Sequence, residues 1–178
     1  MRLSIEPVWG EPLAEVRYLN AAGGGRKDVS RLPIHQTTLR IVGGSIAPEL
    51  DAIVACSDLQ GRVRGPNGLS ELLGLAVADE LEQLADAGRL PPLLRCGAIL
   101  AGDLYTVPDL AKRGGYGDVA PVWEAFAERF AWVAGVAGNH DDVGGVPKLG
   151  DGVHLLDGNV TVVDGLRIGG VGGIIGNP

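Results

Sequence analysis

Gly138-Asn139-His140-Asp141-Asp142 follows the apolar run Phe130-Ala131-Trp132-Val133-Ala134-Gly135-Val136. The reading is a strand that ends here and delivers an amide, an imidazole and two carboxylates at its carboxyl end. Two earlier stretches have the same build. Asp51-Ala52-Ile53-Val54-Ala55-Cys56-Ser57 runs into Asp58-Leu59-Gln60-Gly61, and Cys96-Gly97-Ala98-Ile99-Leu100-Ala101 runs into Gly102-Asp103-Leu104. In an open α/β sheet, ligands bind beyond the carboxyl ends of the strands. The expected fold class is therefore α/β, a mixed sheet with flanking helices, and one crevice is expected to gather Asp58, Gln60, Asp103, Asn139 and His140.

Asp-x-Gln, then Gly-Asp, then Gly-Asn-His-Asp, each after an apolar strand, resembles the calcineurin-like metallophosphoesterases. That family's usual pattern is Asp-x-His, Gly-Asp, Gly-Asn-His-(Asp/Glu), a lone His and Gly-His-x-His. The resemblance covers roughly residues 50 to 178, matching the family's N-terminal half, with Asp58, Asp103 and Asn139 spaced 45 and 36 positions apart. Gln60 stands where the family has His, and the last histidine motifs do not occur in the sequence. The resemblance implies the first half of an αββα β-sandwich over residues 49–178, incomplete at its C-terminal side, after an N-terminal strand-and-loop extension, residues 1–48.

It also implies a chemistry. Phosphoester hydrolysis needs water made nucleophilic at neutral pH and charge to offset the phosphoryl oxygens. Two divalent cations (Mn favoured over Fe, Zn or Mg) meet both demands. On the family pattern Asp103 bridges the ions, Asp58 and Gln60 hold one, and Asn139 holds the other. His140 is then the general acid, and Asp141 orients its imidazole. Arg62 and Arg64 leave the first loop as candidate contacts for substrate phosphate, and Tyr105 and Arg113 for specificity. The substrate is a phosphorylated small molecule or nucleotide. The alternative is a non-catalytic binding or structural domain that keeps the fold with an incomplete metal site. With His35, His140 and His154 the only histidines, the chain is expected to hold at most one ion weakly. A half-sheet with a bare apolar face is expected to self-associate as a homo-oligomer.

Composition bounds these readings. The 178 residues are 46% apolar and 21% charged, enough for one domain with a core. A net charge of −7 argues against nonspecific binding to nucleic acid or an anionic membrane. No apolar run approaches a membrane span or the core of a signal peptide. The two cysteines lie in apolar surroundings without a Cys-x-x-Cys and read as reduced thiols in a cytoplasmic protein.

The remaining segments are read by periodicity. Leu3–Val8, Ala14–Leu19 and Thr37–Val42 read as strands around an exposed turn at Ala21–Asp28. A helix is expected to start at Pro66-Asn67-Gly68 and stop at Gly88, and a second to cover Ala120–Phe130 with Pro121 in its first turn. Asp157-Gly158-Asn159 and Asp164-Gly165 separate three short strands, a hairpin signal. His35 and His154 read as surface or packing residues. Gly43-Gly44-Ser45-Ile46-Ala47 lacks the last glycine of a nucleophile elbow, and Ile175 breaks a dinucleotide-loop reading of Gly170-Val171-Gly172.

Overall fold

A computed structural model describes residues 2–8, 10–65 and 68–173. The expected helix start at Pro66-Asn67 and the end of the glycine run at Ile174-Ile175-Gly176 lie outside the described residues. β1 (Arg2–Ile5) is followed by the hairpin β2 (Ala14–Ala22) and β3 (Arg26–Ile34), and β4 (Leu39–Val42) returns to pair antiparallel with β1. The segment read as a turn is mostly strand; only Gly23–Gly25 forms the tip. β3 has weak alternation and contains Pro33. It exists because all nine of its residues pair with β2, and its edge position tolerates a proline.

β5 (Ala52–Cys56) leads into β6 (Arg62–Arg64) and β7 (Ser70–Leu72), and β6 pairs with both β2 and β7. The sheet β3-β2-β6-β7 thus draws strands from both sides of residue 48. Because β7 engages Ser70–Leu72, the first long helix, α1 (Leu73–Asp86), begins later than its sequence pattern, and Leu69 stays exposed. Leu73, Val77, Ala78, Leu81 and Leu84 form its buried stripe. It stops where Gly88 takes φ 69°.

β8 (Cys96–Leu100), the short β9 (Gly117–Asp118), α2 (Ala120–Ala127) and β10 (Trp132–Gly135) follow, then β11 (Asp141–Asp142), β12 (Val153–Leu155) and the hairpin β13 (Asn159–Val163) with β14 (Leu166–Gly170). α2 is shorter than expected; residues 128–130 are a turn that still buries Phe130.

The central sheet is wholly parallel, in the order β12-β10-β8-β5. Period-two alternation divides its side chains between two layers. Val54, Cys96, Ala98, Leu100 and Val133 face α1 and α2, where Trp123 and Phe126 are fully buried. Ile53, Ile99, Trp132 and Ala134 face the other way, against Val163, Leu166 and Ile168 of the β13–β14 hairpin. The indole Nε1–H of Trp132 ties these layers by donating to Asp164 Oδ2 at 2.7 Å. β5 is an edge strand of this sheet, mostly half-buried, with Ala55 exposed. The described residues form a mixed α/β structure of several sheets and two α-helices. No helix among the described residues is long and apolar enough to cross a membrane.

Candidate functional site

The parallel register sets the carboxyl ends of β5, β8 and β10 side by side, with Cys56 opposite Leu100 and Leu100 opposite Gly135. The loops that follow are stitched together. The Asp58 N–H donates to the Gly102 carbonyl at 3.0 Å. The Asp103 Oδ1 lies 3.4 Å from the His140 N–H that points to it. This approach demands glycine. A Cβ on Gly138 would stand 2.2 Å from both the backbone nitrogen and Oδ1 of Asp103, and one on Gly102 would stand 2.6 Å from Gly138 N. Asp58 and Asp103 both hold left-handed backbone, at φ 54° and 56°. That conformation is uncommon for a residue with a side chain and clusters at functional sites. Asp58 is exposed and Asp103 half-buried.

His140 is held by the long loop after β8. Its Nδ1 lies 2.5 Å from the Gly115 carbonyl, so Nδ1–H is the donor, and Asn139 Nδ2 lies 3.2 Å from Nε2. The ring packs on Gly114, where a Cβ would meet the imidazole at 2.7 Å. The loop is zipped to the motif by the β9–β11 pair, Asp141 opposite Gly117, and by the Gly117 N–H donating to the His140 carbonyl at 3.2 Å.

Three expected roles do not match the positions found. Asp141 does not touch the imidazole. It is buried, and its carboxylate accepts from the N–H groups of Leu104 (2.8 Å), Tyr105 (3.1 Å) and Gly138 (2.9 Å). The Gly115 carbonyl fixes the ring instead. Arg62 is buried, donating from Nε (2.9 Å) and Nη2 to the Thr106 carbonyl and lying 5.5 Å over the Tyr105 ring. Burial lowers its pKa, with Tyr105 opposing. It therefore braces the loop through two of its three nitrogens. Arg64 is exposed on β6 and lines a shallow surface depression with Arg17, Tyr18, Val29 and Arg62.

Gln60 is buried, and its Oε1 accepts from Arg113 Nε at 3.0 Å. The amide oxygen expected to ligate a cation is thus engaged by a cation of the chain itself. Asp58, Asp103 and the Asn139 amide remain as donors. All are hard oxygens, suited to Mg²⁺ or Mn²⁺ rather than Zn²⁺. Among the described residues no three His, Cys, Asp or Glu side chains gather as a metal-holding group.

Two contributors were not legible as site residues. Thr106 is fully buried and joins Arg62 to the loop, its Oγ1 accepting from Gly114 N–H at 3.1 Å. Gly115 acts through its backbone carbonyl, which no residue type announces. The available signal was the glycine cluster Gly114, Gly115 and Gly117 in one loop. His35 is exposed, and His154 on β12 lies 3.3 Å from Thr161 Oγ1, so both are apart from the strand-end loops. Comparison with family models, curated proteins and solved structures returns no match for this chain.

Proposed function

We propose that this chain carries the strand-end part of a metal-dependent phosphoesterase site of the calcineurin-like kind. The observation that carries the reading is the pair Asp58 and Asp103. They follow neighbouring parallel strands, both hold left-handed backbone, and the Asp58 N–H donates to the carbonyl of Gly102, the residue before Asp103. Carboxylates beyond the carboxyl ends of adjoining parallel strands lie where an open α/β sheet binds its ligands. The helix layer, parallel sheet and packed hairpin support the further reading of this fold as one half of an αββα sandwich.

Asp58, Asp103 and Asn139 would hold one Mn²⁺ or Mg²⁺. When bound, the ion supplies charge against the phosphoryl oxygens and makes a water more acidic. His140 keeps its ring orientation through Nδ1–H to the Gly115 carbonyl, and its Nε2, which lies 3.2 Å from Asn139 Nδ2, would exchange that contact for the leaving oxygen, to which the protonated ring would pass a proton. Asp141 keeps the Gly138 and Leu104 loops in register for both groups.

The test is a screen of phosphomono- and diesters on the natural gene product with Mn²⁺. His140→Ala is expected to retain the metal and lose roughly 10²–10⁴-fold in turnover, the usual worth of a general acid. The loss should shrink for nitrophenyl esters, whose leaving group needs no proton. An equal loss for all leaving groups would remove the proton-donor role. The engagement of Gln60 by Arg113 favours a second reading, a phosphate-binding domain without turnover. Metal-stimulated hydrolysis would exclude that reading, and phosphate binding with no hydrolysis of any ester would establish it.

A further inference from the structure

We propose that Arg113, anchored by Gln60, is the anion-binding residue of the strand-end site and takes the charge-neutralising part expected of a second cation. Gln60 occupies the family's histidine position, yet its Oε1 accepts from Arg113 Nε at 3.0 Å while the amide itself is buried. A neutral amide fixes the guanidinium without cancelling its charge. Arg31, Arg40, Arg95 and Arg129 meet carboxylates, and Arg62 and Arg89 donate to backbone carbonyls, whereas Arg113 has no ion pair among the described residues and is held by a side-chain amide. With Nε engaged, the two terminal amino groups make no hydrogen bond among the described residues and form a fork suited to two phosphoryl oxygens.

The position fits the role. Arg113 directly precedes Gly114, which packs on the His140 ring, and Gly115, whose carbonyl holds Nδ1. Gln60 is two residues from Asp58. The cationic fork is therefore tied to the loop that orients the imidazole and to the loop that carries the first aspartate. Arg113 is a binding residue and Gln60 a positioning residue. The inference rests on the phosphoester reading for the identity of the anion; the anchoring stands without it.

The experiment titrates inorganic phosphate into the full chain calorimetrically, with and without Mg²⁺, and measures Mn²⁺ affinity in parallel. Arg113 is exposed, so its replacement leaves the core untouched. Arg113→Ala should weaken phosphate about 10–100-fold, the worth of charge-assisted hydrogen bonds, without lowering Mn²⁺ affinity. Arg113→Lys should recover part of the loss. Gln60→Ala should weaken phosphate in the parent and add nothing in the Arg113→Ala background, the mark of one coupled unit. Phosphate binding through Arg113 without any Mn²⁺ binding would uphold this assignment and overturn the cation-dependent reading. The assignment fails if Arg113→Ala binds phosphate like the parent, if the parent binds none, or if Gln60→Ala loses Mn²⁺ affinity instead of phosphate affinity.

Discussion

The Asp141 carboxylate holds three backbone segments at once, because Leu104, Tyr105 and Gly138 all donate to it. Replacing it with asparagine puts an amide NH₂ against backbone N–H donors and leaves a buried donor unpaired, a cost of about 1–3 kcal/mol. Asp141→Asn should therefore lower the melting temperature by several degrees, read by calorimetry, a response that a purely catalytic aspartate would not give. Gly138→Ala tests the same junction sterically. Its Cβ would fall 2.2 Å from Asp103 N, so the loops must part. Cation affinity should drop even though no ligand has changed, which metal titration of the folded variant checks. At this scale the sequence exposed Asp58, Asp103 and His140, because each sits in a short motif after its own strand. It did not expose the partners of Gln60 and Arg62, which lie 53 and 44 positions away. Such pairings depend on how a loop returns, and nothing local encodes that.

Among the elements, β5 carries the most consequence, since it is an edge strand that leads directly to Asp58. Its last residue, Cys56, keeps some exposure as a residue, but desolvation of the thiol pushes its pKa up to about 12 from 9.0. A folded-state pKa above the unfolded one means that the folded chain keeps its proton where the unfolded chain releases it. The stabilisation is complete below pH 9.0 and is lost as pH rises toward about 12. Denaturant midpoints should fall across that window, and Cys56→Ala should flatten the decline. A decline unchanged in Cys56→Ala would show that other groups cause it. The parallel strands and the β13–β14 hairpin were readable, the latter because Asp164-Gly165 supplies two consecutive positive φ angles, 51° and 77°. β3 and β7 were not, because backbone pairing with β2 and β6 forms them without an apolar pattern of their own.

For the whole molecule, the two faces of the central sheet differ in their cover. The helices seal one, while the β13–β14 hairpin lies on the other, covering Trp132 and Ala134 that a bare half-sheet would expose. The hairpin in turn exposes Val160 and Val162, so the expectation of self-association now concerns that outer surface. The sheet's other outcome is the gathering of Asp58, Asp103 and Asn139 at one end, and the central claim is that this end holds a cation. A Mn²⁺ titration of residues 1–178 and of Asp103→Asn tests it most directly. The account predicts one weak site in the parent, with a dissociation constant on the order of 0.1 mM or above, lost in Asp103→Asn while the fold persists. No Mn²⁺ binding by the parent, or equal binding by Asp103→Asn, would contradict it.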